Sequence, residues 1–84
     1  MSRQVRLYAL STCGWCKRTR EFLHGHSISF EDINVDLLEE EEKKRCRAEL
    51  SQFNPRRSYP TVVVDEKEVI RGYDEDRLCE VLEL

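Results

Sequence analysis

Cys13 and Cys16, separated by Gly14 and Trp15, form the pattern in this sequence that most directly implies a reaction. A thiol attacks a disulfide as its thiolate, and a second thiol two residues further on lies about one helical turn away, close enough to resolve a mixed disulfide held by the first. If Cys13 opens a helix, unpaired backbone N–H groups and the positive end of the helix dipole favour its thiolate, and Lys17 and Arg18 add positive charge close by. The pattern thus reads as a two-cysteine exchange centre, with Cys13 as nucleophile and Cys16 as resolving thiol. The competing chemistry is a zinc knuckle. Zinc normally takes four ligands, and outside this pair the chain offers only the isolated Cys46, Cys79, His24 and His26.

The surrounding pattern predicts the elements that position these thiols. Val5 to Leu10 is a short run of β-formers, closed by Ser11-Thr12, and reads as a strand delivering the chain to Cys13. From Cys13 to His24, Cys16, Thr19, Phe22 and Leu23 recur at helical spacing, with Gly25 as the expected stop and His24 suited to the negative end of the dipole. Ile28 and Phe30, then Ile33 and Val35, form two alternating segments out of phase by one residue, which predicts a bulge or bend at Glu31-Asp32. Asp36 is the expected cap of a helix over Leu37 to Phe53, where Glu39, Glu40 and Glu41 precede Lys43, Lys44 and Arg45 by four residues on a solvated face. Asn54-Pro55 ends it.

Thr61 to Val64 is a continuous β-branched run, the signature of a strand covered on both faces, and Asp65-Glu66-Lys67 turns it into Glu68-Val69-Ile70. Beyond Arg71-Gly72-Tyr73, Asp74 can cap a last helix carrying Leu78, Val81 and Leu82. The order β-α-β-α-β-β-α predicts an α/β fold, a four-stranded mixed sheet flanked by helices. Cys46 and Cys79 fall at core-facing helical positions and read as packing residues.

At 84 residues the expectation is one domain over residues 1–84, with no room for a large buried cofactor. With 39% hydrophobic and 37% charged residues the chain has enough apolar surface to fold. Its net charge of −3 provides no basic field for nucleic acid. The start, Met1-Ser2-Arg3-Gln4-Val5-Arg6, lacks a signal-peptide core, and no stretch is apolar enough to span a bilayer, so a cytoplasmic protein with no membrane partner is expected.

Four segments in order extend the pattern: Val5-Arg6-Leu7-Tyr8 followed by Ser11-Thr12-Cys13-Gly14-Trp15-Cys16; Ile33-Asn34-Val35-Asp36; Tyr59-Pro60-Thr61-Val62-Val63-Val64-Asp65; and Ile70-Arg71-Gly72-Tyr73-Asp74. Together they resemble a glutaredoxin over essentially the whole chain. The resemblance implies the thioredoxin fold, Cys13 and Cys16 as the catalytic pair, and Pro60 as a cis-proline facing them, a bond plausible only before proline and one that would turn the Tyr59 backbone toward an extended substrate. Trp15 and Tyr73 would offer an apolar platform beside the thiols. Arg56, Arg57 and Arg71 flank the implied substrate loop, where guanidinium groups suit carboxylates. Gly72 and Asp74 match positions that approach the glutathione tripeptide, Asp74 facing its amine.

Three departures bear on the reductant. Leu10 stands where a lysine commonly lies three residues before the first cysteine, Tyr59 replaces the valine before the cis-proline, and Arg71-Gly72 replaces a Gly-Gly pair. In these respects the chain is similar to glutaredoxin-like electron donors of ribonucleotide reductase, which are often reduced by thioredoxin reductase. The expected activity is therefore reduction of protein or glutathione mixed disulfides in cell redox homeostasis by a monomer with no bound cofactor or metal, its electrons coming from NADPH through glutathione or thioredoxin reductase. The alternative implied by the family is an iron-sulfur module in which two subunits hold a cluster through Cys13 and glutathione.

Overall fold

The computed structural model describes residues 3–84; Met1 and Ser2, the start of the segment read as lacking an export signal, lie outside it. Strand β1 (Val5–Ala9) leads to helix α1 (Gly14–Gly25), strand β2 (Glu31–Asn34), a 3-10 turn (Val35–Leu37) and helix α2 (Glu40–Phe53). Strands β3 (Thr61–Val64) and β4 (Glu68–Arg71) form a hairpin, and α3 (Glu75–Leu82) closes the chain. The sheet order is β2-β1-β3-β4. β1 and β2 are parallel, with Tyr8 opposite Ile33, whereas β1 with β3 and β3 with β4 are antiparallel. Among the described residues, no helix is long and apolar enough to cross a membrane.

Burial explains this layering. Every residue of β3 is buried, because Val62 and Val64 enter one cluster with Cys16, Leu23, Leu78, Val81 and Leu82, while Val63 enters a second with Tyr8, Cys46 and Leu50. Helices α1 and α3 therefore cover one face of the sheet and α2 the other. The apolar β-branched run anticipated this two-sided burial.

Several boundaries differ from the sequence-based expectation, each for a local reason. β1 ends at Ala9, and Cys13 serves as the N-cap of α1 rather than its first residue. Gly25 does not stop α1 in a left-handed conformation. Ser27 does, with φ of 56°, as Ser27 N–H bonds His24 O at 3.0 Å and Ile28 N–H bonds Leu23 O at 2.9 Å; this pair of bonds is a Schellman cap. His24 sits in the last turn, its ring 5.1 Å from that of Phe30.

The expected bulge is absent from β2, which runs unbroken from Glu31 to Asn34. Ile28 and Phe30 pack on the α1 side, whereas Ile33 and Val35 pack on the α2 side. The phase shift thus records apolar residues crossing from one face to the other without an inserted residue. Nor does Asp36 cap α2: Glu39 is the N-cap, without a side-chain bond, and Asp36 is engaged with Ser11 instead. Glu40, Glu41 and Glu42 in the first turn complement the helix dipole. The three expected pairs of Glu39, Glu40 and Glu41 with Lys43, Lys44 and Arg45 are not among the ion pairs of the described residues. Cys46 is buried as a packing residue, and Cys79 is half-buried.

The hairpin turns without glycine: Asp65 and Glu66 both adopt positive φ, 53° and 57°, and Lys67 N–H bonds Val64 O at 3.1 Å. Two successive left-handed residues match the twist of the flanking strands. Asp65 also bridges to Gln4 through its amide and its carboxylate, tying the turn to the entry of β1.

Candidate active site

The two thiols are placed by the turn between β1 and α1. Cys13 N–H bonds Leu10 O at 3.2 Å, bending the chain out of the strand. Cys13 then has an extended backbone, φ −85° and ψ 121°, and its Sγ accepts a hydrogen bond from Cys16 N–H at 3.2 Å. A sulfur at the N-cap satisfies one of the orphan N–H groups of the first turn, a bond that strengthens when the sulfur carries charge.

Cys16 lies one turn deeper and is 0% exposed, whereas Cys13 is half-buried. Burial pushes the Cys16 thiol up to about 12, and the neighbouring Cys13 sulfur adds to the rise, partly countered by a bond from the Leu10 backbone. Two neighbouring cysteines thus have unequal chemistry: one at a helix start open to a partner, one protonated and enclosed behind it.

At the start of β3, beside β1 in the sheet, the Tyr59–Pro60 peptide is cis. Among the described residues neither backbone group of Tyr59 has a hydrogen-bond partner, while Pro60 O accepts Gly72 N–H at 2.7 Å. Gly72 has φ of 77°, a conformation that would strain any residue with a Cβ, so glycine is needed where the chain passes this loop. Trp15, Tyr59, Pro60, Gly72 and Tyr73 together line a cleft of about 240 Å³. Trp15 is 59% exposed and stacks on Tyr73 with ring centres 5.9 Å apart. On the far side of this pair, Gly14, Lys17, Arg18, Glu21 and Tyr73 line a more polar groove, and the Arg18 guanidinium lies 5.5 Å from the centre of the Trp15 ring.

The charged residues singled out from the sequence are not gathered into the cleft. Arg56 and Arg57 are exposed and absent from its lining. Arg71 donates to Phe53 O at 3.2 Å, and Asp74 caps α3 by accepting Arg77 N–H at 3.1 Å. Among the described residues no group of three or more His, Cys, Asp or Glu is arranged to hold a metal ion.

Sequence reasoning overlooked Asp36 as a residue of this region. Its carboxylate accepts Ser11 N–H at 2.9 Å and Ser11 Oγ–H at 2.5 Å, so it grips the turn that carries Cys13. The available signal was its place in Ile33-Asn34-Val35-Asp36, just past a strand parallel to β1 and so at the same end of the sheet as the thiols.

A dithiol at the start of α1, with a cis-proline at the start of β3, is an arrangement that can be compared with known proteins. The glutaredoxin family profile matches residues 5–69. This chain belongs to the glutaredoxin family. It is 30% identical over 80 residues to an uncharacterised glutaredoxin-like 8.6 kDa protein in the rubredoxin operon of Clostridium pasteurianum, spanning 94% of this chain and 97% of that one. Among solved structures it is similar to Methanosarcina acetivorans methanoredoxin, with 41% identity, a TM-score of 0.93, and 96% and 85% of the two chains covered. The Archaeoglobus fulgidus glutaredoxin aligns with 38% identity and a TM-score of 0.89 over 96% of this chain and 87% of that one. The fold is thioredoxin-like, and the family is one of thiol oxidoreductases.

Proposed function

We propose that this glutaredoxin-family chain is a dithiol thiol-disulfide oxidoreductase acting on protein disulfides. The observation that carries the reading is the asymmetry of the pair: Cys13 caps α1 with its sulfur held by Cys16 N–H, while Cys16 is enclosed behind it. Cys13 thiolate attacks one sulfur of the substrate disulfide; a Cys13–substrate bond forms, the substrate S–S bond breaks, and the departing thiolate takes up a proton. Cys16 then loses its proton and attacks Cys13 Sγ, releasing the second substrate thiolate and leaving a Cys13–Cys16 disulfide. Two electrons pass to the substrate.

The burial of Cys16 orders these steps. Part of what holds its proton is the Cys13 sulfur. Once Cys13 is in a mixed disulfide that sulfur carries no charge, so the opposition to Cys16 ionisation falls when the resolving attack is due. The free Tyr59 backbone groups suit pairing with an extended substrate segment, and the Trp15–Tyr73 stack gives it an apolar floor.

The small apolar cleft and the engagement of Arg71 and Asp74 elsewhere favour protein disulfides over glutathione mixed disulfides. They likewise favour electrons from NADPH through a thioredoxin reductase, in the reducing cytoplasm, with ribonucleotide reductase as one candidate acceptor. The test is NADPH consumption with a protein disulfide substrate, supplied either with thioredoxin reductase or with glutathione and glutathione reductase. Turnover is expected with the first, lost in Cys13→Ser, and a substrate-linked adduct should accumulate in Cys16→Ser. Full activity of Cys13→Ser overturns the mechanism; turnover with the glutathione arm alone overturns the choice of reductant.

A further inference from the structure

Asp32 and Asn34 share one face of β2, as alternate residues of a strand must, and Asp36 follows in the 3-10 turn beyond it, while Ile33 and Val35 fill the core. These polar residues contact both flanks of the dithiol segment. After the thiols, Arg20 of α1 donates to Asp32 at 2.8 Å and also to Asn34. Before them, Asp36 takes both donors of Ser11, the residue that follows Leu10 in the turn closed by Cys13 N–H on Leu10 O. Val35, 1% exposed, fixes the backbone from which Asp36 reaches.

We propose that Asp36 is a positioning residue for the dithiol, acting through Ser11 to hold the turn in which Cys13 N–H meets Leu10 O and Cys13 caps α1. Asp36 touches neither thiol. Its effect is on the relative stability of dithiol and disulfide, because the turn that the tether holds presents Cys13 Sγ to Cys16 N–H, a bond that a thiolate sulfur accepts more strongly than a disulfide sulfur. The Ser11 bonds draw the Asp36 carboxyl below its ordinary range, as expected of an anion accepting two hydrogen bonds at one residue. The inference builds on the exchange reading of the Cys13–Cys16 pair, and its test is independent of any partner protein.

The measurement is the equilibrium of the full chain with a dithiothreitol redox buffer at pH 7, read by mass after acid quenching and thiol labelling. The dithiol form of each variant is also unfolded in urea to separate stability from redox effects. Asp36→Ala and Ser11→Ala should each shift the equilibrium toward the disulfide, Asp36→Ala by about five-fold, the net scale of the two solvent-exposed bonds it accepts, which is about 20 mV for a two-electron couple. Asp36→Asn retains an acceptor for Ser11 N–H and should lie within about two-fold of the unaltered protein. An unchanged equilibrium in Asp36→Ala and Ser11→Ala, whatever happens to urea stability, overturns the proposal. So does an Asp36→Asn shift as large as that of Asp36→Ala, since charge rather than the tether would then be responsible. A protein that equilibrates with dithiothreitol as expected but transfers no electrons in the NADPH assay overturns the catalytic reading and leaves this one standing.

Discussion

Cys16 should be strongly protected from alkylation in the folded, reduced protein, by an amount that follows from its surroundings. Its thiol is moved from 9.0 to about 12, which at pH 7 lowers its thiolate fraction roughly a thousand-fold. The more basic thiolate is intrinsically more nucleophilic, with a Brønsted slope of about 0.4–0.5, and recovers about 20-fold of that loss. Ionisation alone therefore slows Cys16 by about 50-fold relative to an ordinary thiol. The residue is also 0% exposed, so the reagent must wait for α1 to open and the protection exceeds this figure. The assay is a time course with iodoacetamide at pH 7, folded against urea-unfolded protein, with Cys13, Cys16, Cys46 and Cys79 resolved by tandem mass spectrometry. Cys16 should react at least about 50-fold more slowly in the folded chain, and Cys13 should be modified well before it. Protection of Cys16 below about five-fold refutes the reasoning, because neither its burial nor its retained proton could then order the exchange steps.

Other groups carry predictions of their own. Tyr8 is 0% exposed and its hydroxyl has no partner among the described residues, so Tyr8→Phe keeps the ring and removes a stranded polar group. Urea unfolding should show it to be neutral or stabilising by up to about 1 kcal/mol, and a loss of that size would contradict the orphan hydroxyl. Asn54, 1% exposed, donates to Ser58 and Thr61 and accepts from Arg56 N–H, bracing the loop before Pro60. Asn54→Ala should cost about 2–3 kcal/mol in the same assay and reduce protein-disulfide turnover, whereas a loss below about 0.5 kcal/mol would deny it that role. The lowered Asp36 carboxyl contributes stability that is present above the unfolded carboxylate range and lost as pH falls through its folded value. The stability gap between the protein and Asp36→Ala should accordingly be constant near neutrality and shrink in acid; a gap that widens in acid has the wrong sign.

Much of the architecture was legible because the relevant information is local or compositional. The β3 run of Thr61 and three valines encodes burial on two faces, and Leu78, Val81 and Leu82 encode the buried stripe of α3. The start of α2 was not legible in the same way. Asp36 has the chemistry of a helix cap, yet its carboxylate is taken by Ser11, a partner 25 residues away that no local rule can weigh. Likewise, Gly25 has the freedom to end α1, but the Schellman bonds fall on Ser27, where the chain must turn to bring Ile28 onto the core. In β2, a change of buried face and a bulge leave the same trace in the hydrophobic pattern. Only the packing partners distinguish them.

A similar division runs through the site. Cys13, Pro60 and Gly72 have conformations that their residue types make legible: a helix start, a cis peptide and a positive φ. Trp15, Tyr59 and Tyr73 line one cleft with Pro60 and Gly72. The arginines answer to a different constraint. A guanidinium on a flexible stem goes to whichever acceptor the fold leaves near it, and for Arg71 that is the Phe53 carbonyl at the end of α2 rather than a ligand carboxylate. Arg56 and Arg57 remain in solvent, outside the cleft. On the function proposed above, substrate selection would rest on backbone pairing at Tyr59 and apolar contact at Trp15 and Tyr73, both of which an extended protein segment can supply along its length.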